Sequence, residues 1–187
     1  MTDELTPVTV STSHERSFLQ LCREDYATHG RDATLPGFRA VVVHRFGNWR
    51  LTVQPRALRA PLTLVYRFLY RWVRNHYGIE LPHCAVVGRR VCVEHQGGIV
   101  VHGSAVIGDD TTLRQSVTIG NRHLHEPHKA PVIGRRVNIG AGAVILGDIV
   151  IGDDVAVGAN AVVLDDVPAG CTVVGPKAII RQPARTA

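Results

Sequence analysis

The chain has 187 residues, of which 45% are hydrophobic, and it carries a formal net charge of +5. This size and apolar content suit one domain with a sizeable core and exclude an extensively disordered protein. The arginines are spread along the chain without a dense basic run interleaved with aromatic residues, so an anionic small molecule is a better expected ligand than nucleic acid.

The first sixteen residues, MTDELTPVTVSTSHER, contain neither the basic nor the apolar region of a secretory signal. No apolar run reaches the length that spans a bilayer, so we expect a cytoplasmic protein. The cysteines show no CxxC spacing, and in a reducing compartment we expect them to be free and partly buried. They are Cys22, Cys84, Cys92 and Cys171.

Residues 1–79 form an N-terminal region that is predicted to be helical from about residue 14 to residue 78. In HERSFLQLCREDYA, four side chains share one helical face: Phe18, Leu19, Cys22 and Tyr26. In APLTLVYRFLYRWVRNHY, a second amphipathic helix carries an apolar stripe of Leu64, Val65, Phe68, Leu69, Trp72 and Val73. The segment THGRDATLPG and Pro55 separate these helices.

The second helix also carries Arg67, Arg71 and Arg74, a pattern found in helices that lie on a membrane surface. Packing of the stripe on its own domain or on another subunit explains the pattern equally well. We therefore do not expect binding to a membrane surface.

From residue 80 to residue 180 the periodicity of the sequence is six. Aliphatic residues recur at this interval at Ile107, Leu113 and Ile119, and again at Ile133, Ile139, Ile145, Ile151, Val157 and Val163. A six-residue period predicts a parallel β-helix, in which each hexad supplies one short strand and one turn. The fold class is therefore mainly β with an N-terminal α-helical region, and residues 181–187 are expected to form a flexible tail.

Two intervals of fourteen residues interrupt the repeat. The first separates Val93 from Ile107 and contains EHQGG, and the second separates Ile119 from Ile133 and contains the polar, basic segment NRHLHEPHKAP. Segments that interrupt a rigid solenoid are where function is usually carried. Both interruptions contain histidines.

The hexapeptide repeat resembles that of the hexapeptide acyltransferases, which fold as left-handed parallel β-helices. Several blocks, from GRDATLPGFRAVVVHRFGNW through GIEL and VCVEHQGGIVVHGSAVIGDDTTLRQSVTIGN to NIGAGAVILGDIVIGDDVAVGANAVVLDDVPAGCTVVG, are similar to successive blocks of the serine acetyltransferases. This resemblance covers residues 20–180. It implies an acetyl-CoA-dependent O-acetyltransferase that acts in cysteine biosynthesis, uses no metal and assembles as a trimer or a dimer of trimers.

The resemblance also implies roles for individual residues. His95 takes the position of the family's catalytic base, and Glu80 that of an acidic residue that orients this histidine. Glu94 and Asp32 take the positions of aspartates that hold the amino group of serine. Where the family has Arg-His-Pro in a loop that binds the serine carboxylate, this chain has HKAP, which places Lys129 there instead.

In the family, acetyl-CoA lies in a groove along the β-helix between neighbouring subunits. The matching positions of this chain that are expected to bind it are Gly120, Gly142, Ala143, Gly158 and Lys177. Lys129 and Lys177 could each bind an acceptor carboxylate or a phosphate of the cofactor, and each could equally be a surface lysine.

Acetyl transfer from a thioester to a hydroxyl needs a base, because a neutral alcohol is a poor nucleophile. A neutral histidine with a pKa near 6.5 suits this task. A carboxylate on its second ring nitrogen would fix the tautomer and stabilise the imidazolium that forms. Glu80, fifteen residues before His95, is the predicted partner, at an offset expected to bring successive coils into register. Backbone N–H groups at Gly97 and Gly98 or in TIGN are predicted to stabilise the oxyanion.

Other readings of the polar residues stay open. His102 is a second possible base, and Cys92 is close enough in sequence to His95 to be an acyl carrier. His123, His125 and His128 suggest a metal site, although no fourth ligand has the spacing that zinc sites prefer.

The sequence therefore predicts acetyl transfer to a hydroxyl, with L-serine as the leading acceptor and O-acetyl-L-serine as the product. The HKAP loop motivates an alternative acceptor, a sugar hydroxyl in polysaccharide synthesis. A non-catalytic scaffold that binds a partner enzyme is a third reading.

Overall fold

A computed structural model describes residues 17–177 and residue 179. Three α-helices precede a series of short parallel strands. The helices are α1 (Phe18–Thr28), α2 (Pro36–Trp49) and α3 (Arg59–Tyr77), and short 3-10 turns at Arg50–Thr52 and Arg56–Leu58 join the last two. The predicted tail at residues 181–187 lies outside the described residues.

The strands that follow are two or three residues long. They are β1 (Ile79–Glu80), β2 (Val86–Val87), β3 (Cys92–Val93), β4 (Ile99–Val101), β5 (Val106–Ile107), β6 (Thr112–Leu113), β7 (Thr118–Gly120), β8 (Val132–Ile133), β9 (Asn138–Ile139), β10 (Val144–Leu146), β11 (Val150–Ile151), β12 (Ala156–Val157), β13 (Val162–Val163) and β14 (Thr172–Val173). They form three parallel sheets, so the predicted left-handed parallel β-helix is confirmed.

Each sheet is one face of a three-sided prism. Face A contains β1, β4, β7, β10 and β13, face B contains β2, β5, β8 and β11, and face C contains β3, β6, β9, β12 and β14. The chain visits the faces in the order A, B, C. We call the corners between successive faces the AB edge, the BC edge and the CA edge.

The hexapeptide repeat fills the prism because one aliphatic side chain of each strand points inward. Ile107, Leu113, Ile119, Ile133 and Ile139 are all completely buried. A second residue of each hexad, two positions earlier, is also buried, as Val117 and Val137 show. At about 25 cal/mol per Å² of apolar surface, this continuous column is the main favourable term for the fold.

The register between coils locates both interruptions of the repeat. Val144 pairs with Val162, an offset of 18 residues for one full turn of three hexads. The offset is 20 between Ile79 and Ile99, so the first interruption adds two residues. It is 26 between Thr118 and Val144, so the second adds eight. The first interval of fourteen is therefore two hexads plus two residues, because β4 lies inside it.

The apolar faces predicted for α1 and α3 pack only in part on this domain. On α1 the side chains buried against the domain are Leu21 and Asp25, whereas Leu19 is 65% exposed. On α3 the buried side chains are Tyr66, Val73 and Tyr77. Much of the predicted stripe faces outward, with Leu64, Val65, Phe68 and Trp72 exposed.

α2 joins the helices to the β-helix. Its Arg45 is buried, and the guanidinium pairs with Asp25 of α1 at 3.0 Å and donates to the Val87 carbonyl at 2.7 Å. Gly37 at the start of α2 packs so closely on β3 that a Cβ there would collide with the carbonyl oxygen of Val93. The helical layer therefore rests against the first coil, and the end of β3 is held by it.

The BC edge is built from alternating pairs of like charges. The pairs at this corner on successive coils are Arg89–Arg90, Asp109–Asp110, Arg135–Arg136 and Asp153–Asp154. Three of the guanidinium groups meet a carboxylate one coil away, as for Arg90 and Asp110 at 2.6 Å and Arg136 and Asp154 at 2.6 Å, whereas that of Arg89 pairs with Glu24 of α1. Hydrogen bonding to Arg90 and to Arg136 lowers the pKa of the Asp110 and Asp154 carboxyls respectively.

None of the described helices is sufficiently long and apolar to cross a membrane.

Candidate active site

His95 lies at the CA edge, in the two-residue insertion of the first coil. Val93 pairs with Leu113 and Val100 pairs with Thr118, so six residues of the first coil (94–99) replace four of the second (114–117) at this corner. The extra residues form a bulge whose Gly97 and Gly98 adopt positive φ angles of 98° and 68°. The bulge lifts His95 out of the close-packed wall, and its side chain is exposed. A histidine in this position can reach a ligand bound along the edge.

Glu94 is paired with an arginine that the sequence analysis did not single out. Because Glu94 and Arg114 directly follow β3 and β6 in register, they are neighbours on adjacent coils. Arg114 Nε lies 2.7 Å from Glu94 Oε2. Arg114 Nη1 also donates to the side chain of Asn138 one coil further on. Glu94 is therefore held in an ion pair directly beside His95.

The predicted partnership between Glu80 and His95 does not appear as a direct contact. Glu80 aligns with Val100 on the outer surface of face A, so the predicted offset of fifteen residues was wrong as a coil register. Glu80 Oε1 accepts a hydrogen bond from Tyr70 of α3 at 3.3 Å. Within the described chain, no hydrogen bond or ion pair joins Glu80 to His95. Burial, followed by the nearby Glu80 charge, raises the pKa of the Tyr70 hydroxyl.

Asp32 lies in the turn between α1 and α2. Its Oδ1 accepts from the backbone N–H of Thr34 at 2.7 Å and from the Thr34 hydroxyl at 2.6 Å. These hydrogen bonds lower the pKa of the exposed Asp32 carboxyl. The turn is fixed to the CA edge by His29, which is buried and accepts the Val93 N–H on Nε2 at 3.2 Å. Asp32 is thus charged, and one of its oxygens is used locally.

Lys129 ends the long loop between β7 and β8 at the AB edge. Its ammonium lies 3.1 Å from Glu126 and 3.9 Å from Asp148. The hydrogen bond to Glu126 raises the pKa of Lys129. Lys129 is exposed, but both of these carboxylates compete with any acceptor carboxylate for it.

The predicted cofactor residues fall on two edges that border face A. Gly142 and Gly158 lie at the CA edge, on the same side as His95, whereas Gly120 ends β7 close to the AB edge. Ala143 is completely buried, so only its backbone can meet a cofactor. Lys177 is exposed and follows the last strand.

On the two coils that follow Arg114, glycines take the same corner position, Gly140 and Gly158. A Cβ at Gly140 would lie 2.5 Å from the backbone N of Ala159, so the close approach of the next coil favours glycine there. The side-chain oxygen of Gln115, next to Arg114, is buried without a hydrogen-bond partner among the described residues. Unpaired buried polar atoms are costly and are often retained at functional sites.

One predicted oxyanion donor is already engaged. The Gly97 N–H donates to the Tyr77 carbonyl at 2.9 Å, which links the bulge to the end of α3. Gly98 remains as the donor candidate of this pair.

The alternative acyl carrier, base and metal ligands considered from the sequence are less suited to those roles. Burial raises the pKa of the Cys92 thiol, which disfavours the thiolate that an acyl carrier needs. His102 Nδ1 accepts the Ser104 N–H at 3.1 Å on the AB edge, away from the bulge. The rings of His123 and His125 stack 5.3 Å apart. Across the residues described, no group of three or more His, Cys, Asp or Glu could hold a metal ion.

The four cysteines are free, as predicted. Cys22 and Cys92 are half-buried, but Cys84 and Cys171 are exposed, contrary to the expectation of partial burial. An open groove of about 620 Å³ runs along the outer face of α3 between Leu64, Phe68 and Trp72. None of the candidate site residues lines it.

Comparison with known proteins identifies the repeat and its relatives. The family described as bacterial transferase hexapeptide (six repeats) matches residues 130–165. The chain is 37% identical to a serine acetyltransferase of Helicobacter pylori over 166 residues, which cover 87% of this chain and 92% of that protein. It is 40% identical to the putative colanic acid biosynthesis acetyltransferase WcaB of Escherichia coli K12 over 141 residues, 75% of this chain and 85% of that protein.

Other relatives are longer. A serine acetyltransferase of Synechococcus elongatus is 37% identical over 155 residues, which cover 82% of this chain but only 61% of that enzyme. The solved structure of a serine acetyltransferase from Brucella abortus strain S19 in complex with coenzyme A matches with a TM-score of 0.72 and 27% identity, covering 87% of this chain and 66% of that one. The repeat, the helical layer and these similarities together show that the chain belongs to the serine acetyltransferase family of hexapeptide transferases.

Proposed function

We propose that this protein transfers an acetyl group from acetyl-CoA to a hydroxyl group, with His95 as the general base. The observation that carries this proposal is the bulge at the CA edge, which holds an exposed histidine outside the packed wall of the β-helix. An extended thioester that lies along this edge would bring its carbonyl carbon to His95. The bound coenzyme A of the Brucella relative supports the same co-substrate here.

The reaction needs one proton carrier and no covalent enzyme intermediate. His95 removes the proton of the acceptor hydroxyl as its oxygen attacks the thioester carbonyl carbon. A C–O bond forms, the tetrahedral intermediate collapses and the C–S bond breaks. The imidazolium then returns its proton to the departing thiolate, which leaves an O-acetyl ester and free coenzyme A.

Glu80 is proposed to position His95 rather than to touch the substrates. Its carboxylate lies on face A, one coil edge away from the bulge, and is held by Tyr70. A shift of the exposed bulge or a bridging water would connect it to the imidazole. Catalytic hydrogen bonds are often formed only in the substrate complex.

L-serine is the acceptor that the names of several relatives suggest, since serine acetyltransferases are among them. In this reading Glu94 and Asp32 bind the ammonium group of serine and Lys129 binds its carboxylate. All three side chains carry the charges that this role requires, and the product is O-acetyl-L-serine.

A sugar hydroxyl is the second candidate, and specific observations favour it. Glu94 is neutralised by Arg114 at 2.7 Å, and Lys129 is paired with Glu126 at 3.1 Å. The WcaB relative, named for colanic acid biosynthesis, is matched over 85% of its length. An acceptor without charges would not have to break either pair.

We further propose that the chain assembles as a homotrimer, or as a dimer of trimers, around its β-helix. Large apolar side chains are exposed on α3 and on face A, among them Phe68 at 68% and Val162 at 62%. Such exposure is common at surfaces that bind another chain. Light scattering after gel filtration should give about three or six times the chain mass of 20.4 kDa.

Thiol release from acetyl-CoA, measured with L-serine, homoserine and a panel of sugars, tests the proposed function. We expect release that depends on an acceptor and that is lost when His95 is replaced by alanine. Release that no acceptor increases would contradict the proposal and favour the scaffold reading.

A further inference from the structure

Arg114 forms an ion pair with Glu94, the carboxylate that an amino-acid acceptor would need for its ammonium group. The Glu94 position is the one expected to hold the ammonium group of serine, and Arg114 Nε lies 2.7 Å from Glu94 Oε2. The side chains are 31% and 37% exposed, so solvent only partly screens the pair. An ammonium group could reach Glu94 only by displacing the guanidinium or by lying beside a like charge.

The arginine is anchored from two sides, which makes displacement costly. Its Nη1 donates to the Asn138 side chain and lies 3.5 Å from the Ile139 carbonyl oxygen. Asn138 aligns with Thr112 in the parallel ladder, so this anchor belongs to the coil below. Arg114 thus bridges the first and third coils across the CA edge.

The two other charged residues assigned to a serine site, Lys129 and Asp32, are both partly engaged. Lys129 is shared by Glu126 and Asp148. Asp32 uses Oδ1 for two bonds to Thr34. The surface beside His95 instead presents guanidinium N–H donors and carboxylate oxygens side by side, which suits the alternating donors and acceptors of a polyhydroxyl compound.

We propose that Arg114 determines acceptor specificity, because by holding Glu94 it closes the ammonium site and selects an uncharged hydroxyl compound, such as a sugar. This inference rests on the proposed acetyl transfer. It assigns to Arg114 a positioning role that acts through Glu94, and it leaves the base and the thioester chemistry unchanged.

The test compares acceptor preference in three proteins: wild type, Arg114→Leu and Arg114→Lys. Thiol release is measured with L-serine and with the methyl glycosides of glucose, galactose and fucose. Arg114→Leu should raise kcat/KM for L-serine relative to the glycosides by about tenfold to a hundredfold, the range of a charged hydrogen bond. Arg114→Lys keeps the positive charge and should raise the relative kcat/KM for L-serine much less. Adding Glu94→Gln to Arg114→Leu should abolish the gain.

Arg136→Leu is the matched control, because Arg136 makes an equivalent pair with Asp154 at the BC edge. It should leave the acceptor ratio unchanged. An unchanged ratio in Arg114→Leu, or a wild type that already prefers L-serine, would overturn the inference. A rise in KM for acetyl-CoA with no change in acceptor ratio would also overturn it and would place Arg114 at the cofactor.

Binding of L-serine measured by calorimetry separates this inference from the proposed function. Arg114→Leu should bind L-serine more tightly than wild type by a similar factor, whether or not either protein turns over. Equal affinities would refute the role of Arg114 alone. Absence of thiol release with every acceptor would refute only the acetyl transfer.

Discussion

The BC and CA edges of the same β-helix are built on opposite rules. At the BC edge, pairs of arginines and aspartates alternate on four successive coils, and Arg90, Arg135 and Arg136 each pair with an aspartate one coil away. At the CA edge, Glu94 and Arg114 form a single charge pair, and Gly140 and Gly158 follow at the same position on the next two coils. One edge carries a ladder of charge pairs, and the other carries one pair beside His95.

The difference shows how a monotonous repeat separates stability from function. A ladder of charge pairs is compatible with the regular 18-residue coil, and its corner residues share a left-handed φ between 53° and 61°: Arg90, Asp110, Arg136 and Asp154. The CA edge departs from this regularity by two residues, and the departure lifts His95 from the wall. Substitutions at the two edges should therefore have separable effects.

The largest effect is expected at the bulge. Replacing His95 with alanine should lower kcat by about 10²–10⁴-fold, the usual contribution of a general base. The thermal unfolding midpoint should stay the same, since the side chain is exposed. His102→Ala serves as the matched control at the AB edge and should retain activity. If His95→Ala keeps the wild-type rate, the CA edge is not the catalytic edge.

A smaller kinetic effect is expected on face A. Glu80→Gln should lower kcat by roughly tenfold to a thousandfold and leave KM for acetyl-CoA unchanged, because it removes a charge that stabilises the imidazolium. Tyr70→Phe removes only the hydrogen bond to Glu80 at 3.3 Å and should have little effect on kcat. A rise in KM with normal kcat in Glu80→Gln would mean that Glu80 contacts a substrate.

Substitutions at the BC edge should lower the free energy of unfolding and leave the rate of thiol release unchanged. Asp109 is 7% exposed, and its Oδ1 accepts the Arg89 N–H at 2.8 Å. Asp109→Ala leaves that donor unpaired and should lower the free energy of unfolding by about 1–3 kcal/mol. Asp109→Asn keeps an acceptor and should cost less. Denaturant unfolding and thiol release, measured on the same samples, check both statements, and a fall in kcat with unchanged stability would contradict them.

The helical layer should give the fold a pH dependence of its own. Burial, followed by the neighbouring Arg45, lowers the pKa of His44 to about 3. A histidine with a depressed folded pKa binds its proton more readily when unfolded, so stability is present above pH 6.5 and falls as the pH drops towards 3. Between pH 8 and pH 5 the loss should be about 2 kcal/mol.

His44→Gln should flatten this pH dependence, whatever it does to stability at pH 8. Below about pH 4 a further loss is expected in both proteins, as Asp110 and Asp154, whose pKa values are lowered by their arginine partners, become protonated. An equally steep loss between pH 8 and pH 5 in His44→Gln would show that another group is responsible.

The β-helix could be predicted from sequence because aliphatic side chains recur every six residues and all point into the core. Ile133, Ile139 and Ile145 are each completely buried at one position of the coil. The helices were harder to predict because their packing is set by partners far away in sequence. α2 was not recognised as a separate helix. Its own buried residues, such as Val41, His44 and Arg45, are distributed around the helix and leave no amphipathic pattern.

The candidate site could be predicted only where a single residue stands out from its sequence neighbours. His95 stands out as a histidine in an apolar run, but Arg114 does not, because its importance comes from stacking on Glu94 twenty residues earlier. A count of coil registers that included the two-residue insertion would have found that pair. The same count would have aligned Glu80 with Val100 and not with His95.

The most direct test of this division of labour is backbone hydrogen exchange of the full chain with and without coenzyme A. The account predicts added protection at residues 94–98, 140–143 and 158–160 of the CA edge and no change at residues 134–137 and 152–155 of the BC edge. Protection at the BC edge with none at the CA edge would contradict it.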